Sequence, residues 1–260
     1  MNQAMIGIIK KDFRSITANR RLFVSLLVVP LCLIIVMPSI FMLTAHMAPN
    51  DSDLQAMLEL VPQSSWSGSA EQTLMDLVFN YILPVFFLMI PIMASSIMAA
   101  SSFVGEKEKH TLETLLYAPL TLNQIFRSKV MASFLLSMLV SLLSFVSMIL
   151  VVETEAFFLM GALLIPKVNW LIILLLLSPG VSLIAVTLIV RVSAKAQSME
   201  ESQQSAVFLI LPLVLLIAGQ FSGVMLLSPL LLLALSLVCG VIAWLLLKKS
   251  MKRFSYELLL

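Results

Sequence analysis

The residues best placed to do chemistry lie in one stretch, Phe103 to Val130, which reads FVGEKEKHTLETLLYAPLTLNQIFRSKV. Charges alternate at Glu106, Lys107, Glu108 and Lys109. Thr111 follows as an N-cap, its hydroxyl able to accept from the backbone of the next turn. Glu113 falls in the first turn, where the helix dipole favours an acid. Leu112, Leu115 and Leu116 share one face at i, i+3, i+4 spacing, and Pro119 stops the helix. The chemistry of this pattern is recognition. It predicts a short helix showing a leucine patch rimmed by acids, with no core of its own to bury it, and a patch of that kind meets another protein. Catalysis has no comparable place in the chain. There is no HExxH helix and no GxxxxGK[ST] phosphate loop, and no Ser/His or paired-Asp constellation. Cys32 and Cys239 lack a CxxC or Cys/His neighbour and read as small buried apolar side chains.

The surroundings of that stretch are set by composition. Of 260 residues, 60% are hydrophobic and only 12% charged, with a mean hydropathy of +1.07. A soluble globular chain carries roughly 25% charged residues, so this one belongs in a bilayer. Crossing the hydrocarbon takes about 20 apolar residues. Six such runs occur, over 22–45, 77–101, 130–152, 168–190, 205–226 and 229–247. Between the fifth and sixth, Ser222-Gly223 and Ser228-Pro229 are the only breakers, and a pair of short half-inserted helices there is an alternative to a plain turn. Of 16 Lys and Arg residues, 15 fall in segments that share one side if both termini are cytoplasmic; the exception is Lys167. The 46–76 segment carries Asp51, Asp53, Glu59, Glu71 and Asp76 instead. The positive-inside rule therefore predicts six spans with N and C termini inside. His46 and His110 then lie on opposite sides of the membrane and cannot share a site.

The six runs contain no ionisable residue, which argues against a proton- or sodium-coupled carrier working alone. Asn80 and Gln220 are their strongest polar groups. Prolines at 30, 38, 84, 91, 179 and 212 read either as hinges or as ordinary membrane-helix irregularities. Before the first run, Met5, Ile6, Ile9, Phe13 and Ile16 fall on one helical face, with Lys10, Lys11 and Arg14 on the other. Such a helix, within residues 1–21, lies in the headgroup layer as an anchor or a lever.

The stretch after the second run resembles the membrane subunits of ABC type-2 exporters, whose signature reads approximately GE[KR]E-x-G-T-L-E-x-L-L-x-x-P with a downstream I-x-x-x-K. The matching residues are Gly105-Glu106-Lys107-Glu108, Thr111-Leu112-Glu113, Leu115-Leu116, Pro119, Ile125 and Lys129; His110 stands where the family has glycine. The 191–212 segment and the RFSYELLL ending are similar to the family's second loop and tail. The resemblance implies an all-α integral membrane fold of six transmembrane helices. It adds an amphipathic interfacial helix at the N-terminus and a short coupling helix between spans two and three. The whole of 1–260 is then one permease domain, with an external loop at 46–76, a coupling segment at 102–129 and a second cytoplasmic loop at 191–204.

It also implies the partners: two ABC ATPase subunits, which hold the ATP and Mg, and a second permease subunit, identical or homologous, in a prokaryotic plasma membrane. This chain would hold no cofactor, would not be an enzyme and would bind no nucleic acid. Coupling to the ATPase would rest on Glu106, Thr111, Leu112, Glu113, Leu115, Leu116 and Pro119, with Ser202 and Gln203 in a second contact. An interior free of charge suits an amphipathic or hydrophobic cargo such as a drug, peptide antibiotic or lipid. Sodium extrusion, or a scaffold or sensor that moves nothing, are the alternatives.

Overall fold

The computed structural model describes residues 3–48, 51–59, 69–108, 120–161, 163–193, 196, 198–221 and 228–253. They are helical almost throughout: α1 (Gln3–Ala18), α2 (Arg20–Met47), α3 (Ser52–Glu59), α4 (Ala70–Glu108), α5 (Leu122–Met160), α6 (Val168–Ser193), α7 (Met199–Gln204), α8 (Val207–Phe221) and α9 (Pro229–Arg253). Among the described residues six helices are long and apolar enough to cross a membrane, and they coincide with the six apolar runs. The 222–227 segment between α8 and α9, expected as a turn or a pair of half-inserted helices, lies outside the described residues, as do 49–50 and 60–68 of the 46–76 segment.

The central element is α4. Its most apolar stretch is 83% buried, against 17% for that of α9. Small residues make this possible. Ala94, Ser95, Ser96, Ala99 and Ala100 are buried on α4, and Ser133, Ser137, Ser141 and Ser144 on α5, so the two backbones pack closely. Ser137 Oγ meets Ser182 Oγ at 2.6 Å, joining α5 to α6. On α2 the buried residues Leu22, Leu26, Pro30, Ile34, Pro38 and Met42 recur every four positions, a narrow stripe that packs on α5. The rest of α2 faces outward, Cys32 included. Its thiol is thus exposed rather than buried, because it falls off the four-residue stripe. Cys239 is half-buried, its Cβ 3.3 Å from the point a Cβ on Gly180 would occupy, where α6 and α9 meet.

Two of the span prolines have a specific structural answer. Pro84 has no N–H to give Asn80 at α-helical spacing or Phe79 at π spacing. The chain forms a π turn over Val78–Ile82 just before it. Three consecutive carbonyls there are then taken by side chains. Trp170 Nε1 donates to Phe79 O at 2.9 Å and Asn169 Nδ2 to Asn80 O at 3.0 Å, both from α6. Gln220 Nε2, from α8, donates to Tyr81 O at 2.9 Å. Asn80 itself is fully buried; its side chain donates to Asp76 Oδ1 and Ile165 O, and accepts from Lys167 N. A second π turn, Ile173–Leu177, stands in the same relation to Pro179.

Removing the donor should therefore cost more where the proline is present. Trp170→Phe should lower stability in detergent by about 1–2 kcal/mol beyond its lost packing. That excess should shrink in a Pro84→Ala background, where a backbone N–H returns. Equal losses of thermal midpoint in the two backgrounds would contradict the assignment.

Candidate functional site: a buried charge cluster at the end of α4

Glu106, in the last turn of α4, has two cationic partners. Its Oε1 accepts from Lys11 Nζ at 2.5 Å and its Oε2 from Lys129 Nζ at 2.5 Å. Lys129, on α5, is completely buried; its ammonium also donates to the Ser102 carbonyl and lies 5.3 Å over the Phe103 ring. Ser102 Oγ, 3.3 Å from that ammonium, donates to Asp12 Oδ2 at 2.6 Å. Asp12 belongs to α1 and is buried. Two carboxylates and two ammonium groups thus form a neutral quartet that joins α1, α4 and α5.

Neutrality is what permits the burial. Each ion alone would lose several kcal/mol of hydration, and only close opposite charges with further hydrogen bonds compensate. Asp12 bears the largest imbalance. Burial pushes its carboxyl above the usual 3.8 and the Glu106 charge adds to the rise; Lys129, the Ser102 hydrogen bond and Lys11 oppose both.

The second loop arrives at the same place. α7 opens with Ser198 as N-cap, its hydroxyl accepting from Glu201 N at 3.2 Å, and packs on α4. Met199 Sδ lies 3.0 Å from the point a Cβ on Gly105 would occupy, so the glycine before Glu106 is where α7 seats. Ser202 is fully buried, and its hydroxyl has no hydrogen-bond partner among the described residues; Gln203 is half-buried.

Of the residues the sequence singled out, Glu106, Ser202 and Gln203 are on elements packed together. Thr111, Leu112, Glu113, Leu115, Leu116 and Pro119 fall within 109–119, outside the described residues. Lys11, Asp12 and Ser102 were not legible as a site. Lys11 belonged to the solvated face, yet its half-exposed side chain reaches Glu106. The buried face of α1 is Ile8, Asp12 and Ile16, with Ile6 exposed. A signal was available: Asp12 stands one turn from an isoleucine on either side, an acid on an otherwise apolar face. Lys129, likewise, directly precedes the apolar run of α5.

Six apolar helices of spanning length around a small-residue core define a multi-pass helical membrane protein. The chain belongs to the ABC-2 transporter family: a family profile described as ABC-2 family transporter protein matches residues 6–248. No curated protein and no solved structure matches it. The membrane permeases of this family lack an ATPase domain and generally pair with ATPase subunits. Among the described residues no group of three or more His, Cys, Asp or Glu is placed to hold a metal ion.

Breaking the quartet's charge balance should be costly. Lys129→Met leaves two buried carboxylates facing one half-exposed lysine and should destabilise the chain by about 3–5 kcal/mol, measured by denaturation in detergent. Adding Glu106→Gln restores neutrality and should recover part of that loss. Simple addition of the two losses would contradict the coupling. The raised Asp12 value has its own consequence. Between pH 3.8 and that raised value the folded chain holds more protons than the unfolded one, so stability falls as pH rises through the window. Asp12→Asn should remove that part of the pH profile.

Proposed function

We propose that this chain is the transmembrane permease subunit of an ATP-driven ABC exporter, moving an amphipathic or hydrophobic substrate outward across a prokaryotic plasma membrane. Two permease subunits, identical or homologous, stand side by side above two ATPase subunits, which bind ATP and Mg. Both termini are cytoplasmic; the supporting observation is the concentration of Lys and Arg in alternate segments.

The observation that carries the mechanism is the position of Glu106. It lies in the last turn of α4, three residues before the 109–119 segment begins, and is held by Lys11 from α1 and Lys129 from α5. In this reading Thr111, Leu112, Glu113, Leu115, Leu116 and Pro119 form the helix that seats in the ATPase. Closure of the ATPase pair displaces that helix. Glu106 passes the displacement to α4, α1 and α5 together, since separating them would strand a buried charge. Ser202 and Gln203 add a second route, by holding the 191–204 loop against the same end of α4. The apolar helices then tilt about the interface between subunits and release cargo. The family match supports a transporter over a passive scaffold. The apolar interior between the two polar ends supports a hydrophobic cargo over sodium.

In reconstituted vesicles with the cognate ATPase, Leu116→Asp and Glu113→Ala should abolish ATP-dependent export by roughly tenfold or more while leaving the subunit folded and inserted. A loss of about 1.4 kcal/mol in the docking contact suffices for that factor. Normal export by both variants would overturn the proposal.

A further inference from the structure

Beside the quartet, along α1, lies an open groove of about 380 Å³. Met5 and Ile9 of α1 form one wall, Phe126, Val130, Met131 and Phe134 of α5 the floor, and Leu183, Leu247 and Met251 of α6 and α9 the other wall. Its lining is apolar except at one end, where Arg127 and Ser128 enter. A second opening of about 460 Å³ adjoins it, sharing Leu247 and Met251 and adding Asn123, Trp244 and Lys248.

The basic residues at this mouth are placed by hydropathy. Arg127 is one turn before the apolar run of α5 begins at Val130, and Lys248 directly follows the run of α9 that ends at Leu247. Both stand at the same boundary, the depth at which lipid phosphates lie. Both are exposed, and neither has an ion pair among the described residues. Lys248 lies 4.9 Å over the Trp244 ring, which orients it without neutralising it. Among the described acids, Asp12 and Glu106 of the neighbouring quartet are already occupied by Lys11, Lys129 and Ser102. Among the described residues the mouth thus carries two positive charges without an ion-pair partner, over an apolar slot.

We propose that this groove is a binding site for an anionic glycerophospholipid resident in the adjoining leaflet. Its phosphate sits between Arg127 and Lys248, with Asn123 at the rim, and one acyl chain lies along Met5, Ile9, Val130 and Phe134. Three of the wall and floor residues are methionines, whose flexible thioethers fit chains of different length and unsaturation. The charge pattern selects this occupant. A zwitterionic lipid would fill the slot equally well but bring its own ammonium group beside the two cations. A protein helix seated there would have to carry its acids at the headgroup boundary and its apolar face towards α5. Occupancy would add a contact along α1 next to the quartet, so the bound lipid is a structural part of the N-terminal lever.

The test is native mass spectrometry of the purified chain released from vesicles of equal palmitoyl-oleoyl phosphatidylglycerol and phosphatidylcholine. Phosphatidylglycerol should be retained in preference by about twenty-fivefold, two basic contacts contributing about fivefold each. Arg127→Gln with Lys248→Gln should bring retention to parity; both side chains are exposed and unpaired, so the fold is kept. Met131→Trp, which fills the floor, should reduce retention of both lipids while the basic mouth stays intact. Equal retention of the two lipids by the unmodified chain would overturn the proposal. So would undiminished preference in the double variant, or unchanged retention in Met131→Trp.

Discussion

A charge taken out of water must meet its opposite, and the Glu106–Lys129 pair is the place where this chain most depends on that rule. Lys129 is fully buried on α5, and among the described residues its one acidic contact at hydrogen-bonding distance is Glu106, in the last turn of α4. Lys11 and Asp12, one turn of α1, complete the balance. The interaction is local and the consequence is not. Three helices far apart in sequence are held in one geometry where α4 gives way to the segment that, in the proposed mechanism, receives the motor. Apolar packing alone would allow these helices to slide over one another at little cost. The ion pairs make the arrangement discrete, since a shift that separates one pair exposes the full desolvation cost of its partner.

The other end of α4 meets the reverse problem: donors are missing rather than charges. Pro84 withholds an N–H in a region with no water to replace it, and a π turn hands three carbonyls to Trp170, Asn169 and Gln220. Unpaired backbone groups in the hydrocarbon region are costly enough that such a break is tolerated only where neighbours repair it. The repair joins α4 to α6 and α8, as the quartet joins α4 to α1 and α5. The central helix is thus fastened by polar contacts near both ends and by small-residue packing between them. The Asp76–Lys167 pair, at 2.5 Å, and the His46–Glu71 contact, at 2.9 Å, add bonds at the acidic end.

Most of the architecture was legible because it follows from quantities that sum along the chain. Hydropathy located all six long helices, the Lys and Arg distribution suggested their alternation, and the GEKE–TLE–LL–P pattern gave the family. What hydropathy concealed was the polar detail at the span ends. Asp12 was hidden because a single acid barely alters a helical face of Met, Ile and Phe, and its partners lie about 90 and 117 residues away. Lys129 was visible only as one letter of a motif. The prolines announced that backbone bonds would be lost but not which side chains would replace them. Asn80 and Gln220, singled out in the sequence as polar groups of the apolar runs, belong to that repair, Gln220 as a donor and Asn80 through its own carbonyl; Asn169, in the run over 168–190, is the donor that the sequence reading missed. Such pairings depend on which helices become neighbours, a property of the assembled bundle that no local window contains.

The central claim is that α1 and the end of α4 are one mechanical unit because of Glu106. Hydrogen exchange of the chain in lipid nanodiscs tests it directly, comparing the unmodified chain with Glu106→Gln. Amides from Ile8 to Ile16 should be protected in the first and should exchange at least about tenfold faster in the second, the equivalent of about 1.4 kcal/mol of lost closure. Helix α9, fastened elsewhere, should not change. Unaltered protection of α1 in Glu106→Gln would mean that apolar packing alone holds the helix, and the account of a charge-locked lever would fail.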